Sequence, residues 1–154
     1  MAGMTSSTNA NPTAPTVDAA ADVAWNLDPL LDGTTVDALL DQADELGATI
    51  EAYRGTVATL DVAGLVALMT TAADYEELVG RAGSFVGLEF AVDSLTAEHG
   101  AAMARFQERA TQMATKLLFV ELEWATAADD HVEQVLADER LAFCAHHLRN
   151  LRRY

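Results

Sequence analysis

Apolar residues recur along this chain at alternating spacings of three and four. Val36, Leu39, Ala43, Leu46, Ile50, Tyr53, Val57 and Leu60 form one such seam, and its period of 3.5 places all eight on one face of a helix. Thr34 or Thr35 can cap that helix. Gly47 and Gly55 each weaken it by about 1 kcal/mol relative to alanine, but the stripe runs through both, so the helix is expected to end near Leu60. A second seam, Met103, Phe106, Ala110, Met113, Leu117, Val120 and Trp124, predicts a helix from a Thr96 cap to Trp124, about 42 Å long at 1.5 Å per residue. Between the seams, Asp61 can cap a helix reaching about Thr71, and Asp74 another carrying Leu78, Val79, Ala82, Phe85, Val86 and Phe90. Gly80, Gly83 and Gly87 in the latter predict close helix packing. A turn follows at Val92-Asp93-Ser94. After a break over Ala125 to Asp129, Val132, Val135 and Leu136 mark a short helix. Asp138 then opens a last helix bearing Leu141, Cys144, Leu148 and Leu151. No segment alternates with period two. The expected fold is all-α, with long antiparallel helices in a hairpin or bundle lobe.

The two ends read differently. Residues 1–22 are rich in Ala, Thr, Ser and Asn, with Pro12 and Pro15, and bury too little to offset their ordering entropy; a disordered tail is expected there, and a helical lobe over 23–154. Ala24 to Leu31 reads as an extended opening strap pinned by Trp25, Leu27 and Leu30, because Asp28 before Pro29 is biased away from helix. At the other end an apolar stripe runs to Arg152-Arg153-Tyr154, the pattern of a chain cut within its fold. A severed lobe is expected to expose Leu141, Leu148 or Leu151, and a complete protein to bury them.

Composition narrows the partners. The chain has 154 residues, 51% hydrophobic and 21% charged, with 9 Lys+Arg against 24 Asp+Glu and a net charge of -15. One globular domain of this size can bury a true core. Nucleic acid and anionic membranes are disfavoured, because phosphate binding needs a cationic surface. The first basic residue is Arg54, so a secretory leader is not expected, nor is a membrane span. The expected compartment is the cytoplasm. A single cysteine, Cys144, excludes an internal disulfide.

Candidate chemistry is sparse. His99, His131, His146 and His147 lack the i, i+3 or i, i+4 spacing by which helical residues share a zinc ion. Cys144, on an apolar stripe, reads as a packing residue. Glu121 and Glu123 flank Leu122, and Glu89 stands four before Asp93; with so many carboxylates, solvated faces are the expectation. One of Glu121 and Glu123 is expected to face a neighbouring element and pair with an arginine. Arg140, Arg149, Arg152 and Arg153 suit the C-terminal helix dipole and ordinary ion pairs, the alternative being a docking patch for an acidic partner or for the missing remainder of the chain. No catalytic or metal residue is assigned, and none to substrate.

Several landmarks resemble one family in their order. Trp25-Asn26-Leu27-Asp28-Pro29-Leu30, then Tyr75-Glu76-Glu77-Leu78 before Ala91-Val92-Asp93, then Leu117-Leu118-Phe119-Val120-Glu121-Leu122-Glu123-Trp124, and finally Leu141 to Tyr154, are similar to the N-terminal region of oligoendopeptidase F proteins, among the thimet oligopeptidase-like zinc metallopeptidases. The resemblance spans about Trp25 to Tyr154. It implies a helical lobe that helps wall a channel for short peptides. Zinc and the His-Glu-x-x-His helix belong to a catalytic domain outside this sequence, so the chain alone is expected to be inactive. The alternative expectation is a stand-alone acidic helical interaction or adaptor protein.

Overall fold

The computed structural model describes residues 26–152. Every regular element among them is helical, as the apolar spacing predicts. A one-turn helix α1 (Asp28–Leu31) leads into α2 (Val36–Glu51), a 3-10 turn at Val57–Thr59, α3 (Val62–Val92), α4 (Ala97–Leu117), α5 (Phe119–Ala125), α6 (Asp129–Leu136), a second 3-10 turn at Glu139–Leu141, and α7 (Ala145–Asn150). The disordered tail expected at 1–22, the pinning Trp25, Arg153 and Tyr154 lie outside the described residues. None of the described helices is long and apolar enough to cross a membrane.

Two caps form where the sequence places them. The Thr35 hydroxyl accepts the Ala38 amide at 3.1 Å, and Asp61 Oδ1 accepts the Gly64 amide at 2.8 Å. Other boundaries differ from expectation. The α2 helix stops at Glu51, because the chain turns through Gly55 in the left-handed region at φ +85°, a conformation that costs a residue with a Cβ. The 61–71 and 74–90 segments are one 31-residue helix, about 46 Å long, since exposed Asp74 leaves the backbone ladder intact. Pro29 does not hold the strap extended; it occupies the first turn of α1, where its missing N–H is not needed. Thr96 makes no side-chain cap. Instead Asp93 organises that turn, with Oδ1 accepting the Leu95 and Thr96 amides and Oδ2 the Thr96 hydroxyl at 2.6 Å. The second seam breaks at Leu118, between α4 and α5. The last stripe is a 3-10 turn plus α7 rather than one helix, because Asp138 receives the Arg140 amide and caps only that turn.

Helices α2, α3 and α4 run up, down and up. Leu39 and Leu40 at the start of α2 pack with Ala82 late in α3 and with Phe106 of α4. Ile50 at the end of α2 joins Leu65, Leu68 and Met69 early in α3. The close approach expected of the α3 glycines is met at Gly83, where an added Cβ would lie 2.7 Å from Phe106 Cζ; nothing lies within 4 Å of such an atom at Gly80. The short helices close the other end of this layer. Trp124, Leu141 and Leu148 are fully buried there with Val132, Val135 and Leu136, in one core with the early part of α3. Leu78 packs on both this core and the smaller cluster around Leu39.

Candidate functional site

The closing helices are tied on by polar groups that reach across long sequence distances. Glu123 does face a neighbouring element, but its partners are backbone amides rather than an arginine. Its Oε1 accepts Gly55 N–H at 2.7 Å and its Oε2 accepts Val57 N–H at 3.1 Å, holding the turn between α2 and α3. Glu121 is exposed. Arg54, in that same turn, places its guanidinium carbon 4.0 Å from the centre of the Phe119 ring and donates from Nη2 to the Lys116 carbonyl at 2.7 Å. It thereby satisfies a carbonyl at the end of α4, where the seam breaks.

Trp124, the aromatic of the Leu-Glu-Trp stretch, donates from Nε1 to the Leu148 carbonyl at 2.8 Å. Arg152 binds the carbonyls of Trp124 and Ala127 at 3.0 and 2.7 Å and also pairs with Asp129. So this arginine complements the C-terminus of α5 rather than that of its own segment. Arg140 pairs with Asp138 at 2.9 Å, and its guanidinium holds the Asp138 carboxyl down at about 2. Arg149 is exposed.

The histidines do not converge. His131 Nε2 donates to the Leu60 carbonyl at 3.0 Å, His99 Nδ1 to the Asp93 carbonyl at 3.0 Å, and His146 and His147 are exposed. Among the described residues no three His, Cys, Asp or Glu side chains meet in a group able to hold a metal. Cys144 is buried, with Sγ 3.6 Å from the Leu141 carbonyl. Burial pushes its thiol pKa up, which suppresses the thiolate needed for nucleophilic attack. The packing role expected for Cys144 fits this environment. Asp93 is engaged with Thr96, whose hydroxyl bond lowers the carboxyl pKa below the usual range.

Among the described residues, an apolar groove of about 510 Å³ lies between α3, α4 and the closing segment. Met69, Ala72 and Ala73 of α3 and Ile50 of α2 supply one side. Ala114 and Leu117 of α4, with Leu118 and Val120 beyond it, supply the second, and Phe143, Cys144 and Leu151 the third. Leu118 and Phe143 remain 48% and 59% exposed. The charged or titratable groups on its lining are Glu76, Glu121, His147, Tyr75 and Cys144. Tyr75 is buried, and burial, with Glu76 and Asp44 nearby, raises its phenol pKa. Neither Glu76 nor Glu121 forms an ion pair among the described residues. The sequence holds a weak signal for this groove: Leu118 and Phe143 fall beside, not on, their apolar stripes. That offset shows only once the seams are known to break. Compared with known protein families, characterised proteins and solved structures, the chain matches none.

Proposed function

We propose that this chain is the N-terminal helical lobe of an oligoendopeptidase F-like zinc peptidase, shaping a channel for short peptides without taking part in their hydrolysis. The observation that carries the reading is what the resembling landmarks do. Tyr75 is buried, Glu123 clamps the turn after α2, and Trp124 is fully buried on the Leu148 carbonyl. These are the parts of a rigid wall. A steric channel needs shape and stiffness, and reactive groups belong to the zinc-bearing domain that the resemblance implies.

The alternative is a stand-alone acidic interaction protein. The burial of Leu141 and Leu148 favours it, because the stripe expected to be bare on a severed lobe is covered by this chain itself. Intact mass of the protein made by its source cell separates the two. A mass several times 16.4 kDa, with zinc-dependent cleavage of a quenched fluorescent peptide by that product, is the expected result. A mass near 16.4 kDa overturns the lobe reading and leaves the interaction protein. Hydrolysis by the 154-residue chain alone refutes its inactivity.

A further inference from the structure

The geometry points to the groove beneath Leu118 and Phe143 as a docking site for a basic amphipathic helix of another protein. The lining that fixes its length is Met69 to Glu76 on α3 and Ala114 to Glu121 across Leu118. Each is seven residue steps, about 10 Å of helix, which matches two turns of a guest. A floor of Met69, Leu117 and Val120 with walls of Leu118, Phe143 and Leu151 suits large apolar side chains at i, i+3, i+4 and i+7. The volume, about 510 Å³, is in the range of ordinary ligand sites.

Charge decides among the occupants. Among the described residues Glu76 and Glu121 stand on the lining without an ion-pair partner, and neither Lys nor Arg is on that lining. A second copy would bring another net charge of -15 against these carboxylates, and like charges disfavour association. Residues 1–25 carry Asp18 and Asp22 and no Lys or Arg, so this segment lacks the complementary charge as well. A guest helix with Lys or Arg beside its apolar stripe meets both requirements. It buries the apolar floor and gives each carboxylate a partner. This site stands apart from the peptidase reading and survives or fails without it.

The test uses the full 154-residue chain and a fluorescein-labelled synthetic helix carrying four leucines on one face and lysines along the flanks. Two control peptides replace the lysines by glutamates or the leucines by serines. Anisotropy is expected to show saturable one-to-one binding of the Lys–Leu peptide, and at least tenfold weaker binding of both controls. Phe143→Ser, at an exposed position, is expected to weaken binding about tenfold or more. Glu76→Gln with Glu121→Gln removes two solvent-screened contacts and is expected to weaken it about three- to tenfold. Circular dichroism melts establish that each variant folds, and Leu118→Ser provides a second probe of the same wall. Equal binding of the serine control means attraction to net charge alone and overturns the proposal. Equal binding of the glutamate control, or indifference to Phe143→Ser and Leu118→Ser, also overturns it. A dimer in sedimentation that Phe143→Ser dissolves assigns the face to a second copy. A large gain in peptide affinity on removing residues 1–25 assigns it to that segment. Either result refutes the guest named here.

Discussion

Replacing Glu123 by alanine tests whether the lobe depends on one carboxylate placed between distant elements. The side chain is half-buried, and its two oxygens accept Gly55 N–H at 2.7 Å and Val57 N–H at 3.1 Å. A hydrogen bond to a charged group contributes about 1.5–3 kcal/mol. The Gly55 residue is exposed, so water can replace its bond, and that contribution falls to about 1 kcal/mol. The Val57 residue is 1% exposed, and losing its acceptor brings a desolvation cost of about 1–3 kcal/mol. The sum for Glu123→Ala is therefore about 2–4 kcal/mol. Glu123→Gln keeps one acceptor oxygen but turns an amide NH2 toward the other donor, for a loss of about 1–2 kcal/mol. Urea unfolding followed by circular dichroism reads both, with the m-value unchanged if only native-state contacts are lost. Glu121→Ala, two residues away and exposed, is the control, with an expected change within 0.5 kcal/mol or so. A Glu123→Ala loss no larger than that of Glu121→Ala would refute the reasoning, because the clamp would then contribute nothing.

Gly80→Ala is expected to stabilise the fold by about 0.5–1 kcal/mol, since open space surrounds the added methyl. Gly83→Ala should lose that gain or reverse it, because the Cβ meets the Phe106 ring at 2.7 Å; equal melting shifts for the two would contradict the close approach. Cys144 should label slowly with a thiol reagent in the native protein and at the rate of a free thiol in urea. Its folded pKa is raised, so its contribution to stability is complete below the unfolded value of about 8.5 and is lost as pH rises beyond it. Cys144→Ala should flatten that alkaline decline in a series of melts. Carbon-detected NMR should place the Asp138 carboxyl at about 2, with Arg140→Ala returning it toward the ordinary value of about 3.9. Because this folded pKa is lowered, the Asp138 contribution is present above that ordinary value and fades as pH falls toward 2; an unshifted titration in the wild type would rule out the pair.

What could be read in advance was what depends on neighbouring residues. Thr35 and Asp61 cap as their positions imply, the α3–α4 turn falls at Asp93, and the stripe residues Ile50, Val57, Met113 and Trp124 are buried. Periodicity misplaced the helix ends because it is blind to what ends a helix. Val57 sits on its stripe whether the chain reaches it by helix or by a left-handed turn at Gly55. Asp74 has the chemistry of a cap but faces water on an unbroken helix. The polar ties were illegible for a different reason. Glu123 with Val57, Arg54 with Lys116 and Arg152 with Trp124 are separated by 66, 62 and 28 residues, and no local pattern announces such partners. The groove depends on the same information, since it is lined by residues from four parts of the chain.

The bond from Trp124 to the Leu148 carbonyl also orders events during synthesis. The small cluster of Leu39, Leu40 and Ala82, with Leu31 and Phe106 packed on it, draws only on residues up to α4, so all its members are synthesised before the closing helices. The larger core cannot close until Leu141 and Leu148 have left the ribosome, because until then Trp124 has neither its cover nor its acceptor. A nascent chain paused before Leu141 therefore lacks the residues that cover Trp124 and leaves that apolar end open. That is the state in which a chaperone would bind it or a neighbouring chain on the same message would aggregate with it.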